Sequence, residues 1–139
     1  MGGVFTAAVL KHYLVALVLF LAIDMAWLGI IAKRLYDRYL GYLMASSFNM
    51  VAAMIFYLIF IAGLLVFVIE PALLKGSLQY ALLLGMFFGF VTYATYDLTN
   101  LATVKDWPLA ITLIDLAWGT ALGGMTSLGS VAVIRFLGW

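Results

Sequence analysis

The chain has 139 residues, 68% hydrophobic and 9% charged, with 7 Lys+Arg against 6 Asp+Glu and a net charge of +1. A domain this small buries too little of its surface to hide so much apolar area, which excludes a soluble monomer, and the same composition excludes intrinsic disorder. The absence of a basic patch excludes a nucleic-acid partner. With no Cys and a single His, His12, disulfide scaffolds, thiolate metal sites and thiol catalysis are excluded, and neither a metal nor another cofactor is expected.

A transmembrane helix needs about 20 predominantly apolar residues. Four stretches qualify, at about 13–32, 48–69, 78–98 and 109–131. None alternates with the period of two expected of a barrel strand, so the reading is an all-α, single-domain bundle of four transmembrane helices. The first span ends at Lys33-Arg34-Leu35-Tyr36-Asp37-Arg38-Tyr39, which suits a short amphipathic turn on the headgroups with Tyr36, Tyr39 and Tyr42 as anchors. Glu70-Pro71 is expected to end the second span. Lys105-Asp106-Trp107-Pro108 separates the third and fourth, with Pro108 in the first turn of the last helix.

The apolar run after Lys11 is long, contains Asp24 and lacks a small-residue cleavage site, so it reads as a span rather than a signal peptide. Met1-Gly2-Gly3-Val4-Phe5-Thr6 fits the loose N-myristoylation pattern, for which chance is the plainer explanation. Call the N-terminal side A and the opposite side B. Side B carries Lys33, Arg34, Arg38 and Lys105, and side A carries Lys11, Lys75 and Arg135. That bias leans toward side B in the cytoplasm, with both termini outside.

Asp24, Asp97 and Asp115 fall inside or at the edge of the spans. An ionisable group at the centre of a span costs about 2.5–3.5 kcal/mol on insertion scales, so each needs a partner, water or a proton. Ile23-Asp24-Met25-Ala26-Trp27 echoes Ile114-Asp115-Leu116-Ala117-Trp118 at four of five positions. In each copy Asp and Trp, three apart, share a helix face. Helices 1 and 4 run antiparallel in a four-span chain, so the echo is either an inverted repeat, as in many transporters, or a coincidence of composition. By residue counting at about 1.5 Å each, all three acids lie in the side-B half of the bilayer, where they would form one polar pocket.

The third span is the most polar. Tyr93, Asp97 and Asn100 lie on one face, and Tyr96 sits beside Asn100. Tyr and Asn donate hydrogen bonds to carboxylates, as do the indoles of Trp27 and Trp118. Lys105 is placed to pair with Asp97, and Asn49 and Tyr57 of the second span lie within the same half. A purely structural reading stands beside this one. Intramembrane Ser, Thr and Tyr often only tie helices together, Asp97 would cap a helix end, and Trp and Tyr form interfacial belts. Gly85-x-x-x-Gly89 and Gly119-x-x-x-Gly123 are small-residue packing motifs, usable within one chain or between copies. No phosphate loop, nucleophile elbow, zinc motif or methionine-based copper path is present.

Asp24-Met-Ala-Trp27-Leu-Gly29, Tyr93-Ala-Thr-Tyr96-Asp97-Leu-Thr99-Asn100-Leu-Ala102-Thr103, Asp106-Trp107-Pro108 and Asp115-Leu-Ala-Trp118-Gly119 resemble the motifs of a family of small bacterial predicted membrane proteins, domain of unknown function 2177. The resemblance covers nearly the whole chain and implies a compact bacterial inner-membrane protein without an assigned activity. The residues themselves favour an acidic, aromatic-lined intramembrane pocket that binds a small molecule or lipid, with proton-coupled transport as an extension. Asp24 and Asp115 would be the protonatable pair, Tyr93, Tyr96, Asp97 and Asn100 would orient the ligand, and Trp27 and Trp118 would be the walls. An acidic pocket suits a cationic or hydrogen-bond-donating ligand. A homo-oligomer is expected, because four short helices enclose little volume. The competing readings are a membrane enzyme or accessory subunit acting in lipid modification, the enzyme being weakly supported because nothing positions a substrate, and a scaffold without a ligand.

Overall fold

The computed structural model describes residues 7–43 and 49–139. The N-terminal Met1–Thr6 pattern and the expected start of the second span at Phe48 lie outside the described residues. Four helices are long and apolar enough to cross a membrane: Ala7–Leu40, Met50–Lys75, Leu78–Thr103 and Leu109–Leu137. No strand occurs among the described residues.

The first helix runs on through Lys33–Leu40 instead of stopping at the charged cluster, since Lys, Arg, Leu and Tyr continue a helix and the first Gly comes at Gly41. Its 34 residues extend about 50 Å, well beyond a hydrocarbon core of about 30 Å. The added segment folds against the protein through Tyr36, Tyr39 and Leu40. Leu40, Tyr36 and Tyr39 pack with Val104, Trp107 and Ile111, and the Tyr42 hydroxyl donates to the Asp106 carbonyl at 2.5 Å.

The second helix passes through Glu70-Pro71 and stops only at Gly76, whose φ of 59° closes the helix in the left-handed region. In a regular α-turn the Pro71 ring would meet the carbonyl four residues back. Here Leu65–Ile69 forms a π-turn, with the Glu70 N–H bonded to the Leu65 carbonyl, and the wider turn makes room. A second π-turn, Leu28–Ala32, interrupts the first helix. His12, Ala16, Phe20, Asp24, Ala32 and Leu40, all buried, fall on one four-residue ladder. Such a ladder drifts about 40° per step on an α-helix, and a wider turn takes part of that drift back. The π-turn thus keeps Tyr36 and Leu40 facing the protein.

The third helix extends to Thr103, so Asp97 sits more than a turn inside it and does not cap its end. Thr92, Thr95, Thr99 and Thr103 each donate to the carbonyl four residues back, so these hydroxyls are satisfied on their own helix and do not tie it to a neighbour. Pro108 stands one position before the fourth helix, as its N-cap.

The third and fourth helices interlock backbone to backbone. A Cβ on Gly89 would land on the Gly119 carbonyl oxygen, one on Gly123 on the Gly85 carbonyl oxygen, and one on Gly119 in the Tyr93 ring. One on Gly85 would lie 2.5 Å from both the Gly123 carbonyl oxygen and Ser127 Oγ. Both glycine motifs are therefore used inside one chain. The antiparallel register advances in steps of four, setting Gly85 against Ser127, Gly89 against Gly123 and Tyr93 against Gly119. The next step sets Asp97 against Asp115.

Below this, Phe20, Phe60, Ile61, Leu64 and Leu122 form the buried apolar core. At the side-A end His12 joins three parts of the chain: Nδ1 meets Glu70 Oε1 at 2.5 Å, and Nε2 meets the Trp139 carbonyl at 3.1 Å.

Gly89→Val is expected to destabilise by about 3 kcal/mol or more, the upper range for overpacking, because backbone rather than a movable side chain blocks the added atoms. Gly29, which a Cβ would leave without any contact within 4 Å, serves as the control. Gly29→Ala should be neutral or stabilising by up to about 1 kcal/mol. Thermal unfolding of the purified protein in detergent measures both.

Candidate functional site

The second helix packs on the third through its C-terminal half, where Phe60 meets Phe88 at 5.5 Å and a Cβ on Gly63 would touch the Phe88 ring. Toward side B the two separate. The space between them, bounded also by the first helix, is a cleft of about 1030 Å³. This is the upper end of the size typical of ligand sites. Leu21, Met25, Leu28, Met54 and Phe56 give it apolar walls, the exposed Lys33, Asp37, Asn49 and Tyr96 lie toward its mouth, and Tyr36, Tyr93, Asp97, Trp107 and Asp115 are its more buried lining.

Asp97 and Asp115 meet there. Each carboxyl lies within hydrogen-bonding range of the other. Such a contact between two carboxyl groups is a hydrogen bond only when one of them carries a proton. Asp115 also accepts a hydrogen bond from the Tyr36 hydroxyl. Asp97 is wholly buried, and neither of its oxygens receives a hydrogen bond from a hydroxyl, amide or indole. No salt bridge to Lys105 forms, which corrects the expected pairing: the only ion pair among the described residues is His12 with Glu70. The helix continues past Asp97 for another turn and a half, which carries Lys105 beyond reach.

Asp24 is the third acid, and it stands outside the cleft. It accepts a hydrogen bond from Trp118 Nε1 at 3.3 Å, and the Tyr57 hydroxyl lies beside it. Tyr93 lies between the two groups, within electrostatic range of all three carboxyls. The expected single pocket is therefore a carboxyl pair in the cleft with a separate acid behind it.

Trp27 and Trp118 do not wall that cleft. They stack on each other, ring centroids 4.4 Å apart and 8° from parallel, and line a shallow groove on the outer face of the first and fourth helices. Stacking of this kind adds about 0.5–1.5 kcal/mol beyond burial. The two echoed motifs thus meet across the first and fourth helices. Trp118 reaches Asp24 directly, whereas Trp27, its Nε1 buried without a hydrogen bond, lies beside the Tyr36 hydroxyl that serves Asp115. Asn100 also lies outside the cleft, next to the Tyr96 hydroxyl. Asn49 caps the second helix by accepting from the Ala52 N–H at 3.1 Å.

Tyr36 is the functional candidate that the sequence reading left among surface anchors, and Lys33, Asp37 and Trp107 are further lining residues it did not assign. The signal for Tyr36 was present: it continues the ladder of four that runs from His12 through Asp24. Among the described residues, no three His, Cys, Asp or Glu side chains gather as a metal would require.

A double-mutant cycle tests this arrangement. Tyr36→Phe with Asp115→Asn should show a coupling energy of about 0.6–1.7 kcal/mol, the range for intramembrane hydrogen bonds. Tyr36→Phe with Asp24→Asn should be additive within about 0.5 kcal/mol. Unfolding of the three single variants and two doubles in mixed micelles gives both values.

No curated protein and no solved structure matches the chain. A family model described as "Predicted membrane protein (DUF2177)" matches residues 9–132, which spans all four helices from the side-A end of the first to the last turns of the fourth. The chain is a multi-helix membrane protein and belongs to the DUF2177 family.

Proposed function

We propose that this protein binds an amphipathic small molecule or lipid, with the polar end at Asp97 and Asp115 and the apolar part against the cleft walls. One observation carries the reading: a cleft with apolar walls ends on a buried carboxyl whose two oxygens receive no hydrogen bond from a hydroxyl, amide or indole. Burying a polar group without a partner costs about 1–3 kcal/mol, so a ligand that supplies the missing donor is stabilised there. The separation of the second helix from the third gives such a molecule a route from the bilayer. The balance of basic residues, four against three, favours the cleft end on the cytoplasmic side of a bacterial inner membrane.

Proton-coupled transport is the second reading. Thr126, Ser127 and Ser130 of the fourth helix have buried hydroxyls without hydrogen-bond partners, and they lie between the acids and side A. Such a polar stripe is what a path across the bundle would need.

Native mass spectrometry of protein released from its own membranes tests the binding reading. A bound amphiphile of about one per chain is expected. Ala53, on the cleft wall, takes the control substitution: Ala53→Trp should fill the space and reduce the bound fraction by about tenfold. Protein that carries no such species, or carries it undiminished in Ala53→Trp, overturns the reading.

A further inference from the structure

The inner end of the cleft specifies the head of its occupant. We infer that the cleft takes a single-chain lipid-like molecule with a primary amine head; this rests on the binding reading above. The unmet demand is for donors alone. Apart from the Asp115 carboxyl, no donor reaches Asp97 among the described residues; Asp115 has one oxygen served by Tyr36, and no Lys or Arg forms an ion pair with either. A carboxylate or phosphate head would add acceptors and negative charge to a site already holding two carboxyls. A hydroxyl supplies a single donor. A primary ammonium supplies three N–H donors and one positive charge. With one proton shared between the two carboxyls the pair is a monoanion, so a bound ammonium leaves the buried group neutral. Neutrality decides the matter here, because an uncompensated buried charge is strongly disfavoured.

The walls specify the rest of the molecule. Met25, Met54, Leu21, Leu28 and Phe56 offer an apolar surface, and methionine adapts to an irregular alkyl chain. Lys33 and Asp37 at the mouth carry opposite charges, so the one place that calls for a cation is the carboxyl pair, and a monoamine with a tail fits. Asp97 has no exposed surface, so the head meets the pair at Asp115, beside the Tyr36 hydroxyl. Tyr36 lies just beyond the Leu28–Ala32 π-turn, a local irregularity of the kind found at functional sites.

The test uses the whole chain in nanodiscs of phosphatidylcholine, whose head has no N–H. Radiolabelled dodecylamine is titrated against empty discs, then competed with unlabelled dodecyltrimethylammonium, dodecanol, laurate and butylamine. Saturable binding at about one dodecylamine per chain is expected, with each competitor weaker by about thirtyfold or more, the loss typical of an unpaired buried charge. Asp97→Asn should lose dodecylamine by a similar factor. Asp106→Asn, which removes an exposed carboxylate outside the cleft, should stay within about twofold. Dodecanol or laurate competing as well as dodecylamine overturns the amine head and leaves the cleft reading intact. Absence of saturable binding by any twelve-carbon probe overturns both. The head-group series on the unaltered chain decides the matter even where Asp97→Asn does not fold.

Discussion

The close approach of the third and fourth helices governs the rest of the molecule. Between helices in lipid there is no hydrophobic drive to association, so contact depends on packing and on backbones that come near one another. Gly85, Gly89, Gly119 and Gly123 make that possible, and they fix more than distance. Because a Cβ at Gly89 or Gly123 would overlap the opposite backbone, the two helices have one register rather than several. That register, continued two steps toward side B from Gly89, sets Asp97 beside Asp115. The carboxyl pair is thus held by small residues two turns away, and its members need no charge partner to bring them together.

The second helix works the other way. From Met50 to Tyr57 it has no glycine to bring the two backbones together, and its ring contacts with the third helix begin only at Phe60. Phe20, Phe60, Ile61 and Leu64 then close the bundle below the acids. The resulting cleft is open at one end, polar at its floor and sealed toward side A by an apolar plug. The His12–Glu70 clamp lies beyond that plug and joins the helices where they are already tight. Rigidity at one end and separation at the other place the cleft on the side of the carboxyl pair.

Much of this was legible in the sequence. Four apolar stretches of spanning length gave four helices, because in a bilayer every backbone polar group must be satisfied within the helix. The intramembrane position of three acids was legible from counting. The pairing of Asp97 with Asp115, specifically, was not read, although both ladders of four, Gly85-Gly89-Tyr93-Asp97 and Asp115-Gly119-Gly123-Ser127, are visible in the chain. Reading glycines and acids as separate motifs concealed that they share a face. Helix ends were missed for local reasons. Lys33 to Leu40 contains no breaker, and Pro71 is absorbed by a π-turn that periodicity does not announce. The Asp-x-x-Trp echo was noticed, but the side chains that it brings together are the two indoles, stacked outside the cleft.

The separation of Asp24 from the carboxyl pair also bears on what the chain does. Asp24 has a donor in Trp118 and a neighbour in Tyr57, and Asp115 has one in Tyr36, whereas Asp97 has none. If the acids served only to hold helices together, the most deeply buried of them would be the best satisfied, since an unmet carboxyl costs most where water is furthest away. The order is the reverse. The least satisfied acid lines the cleft, with aromatic hydroxyls and apolar walls around it. Structural polar contacts account for Asp24 and for the threonines of the third helix. They do not account for Asp97, whose one polar neighbour of this kind is the Asp115 carboxyl.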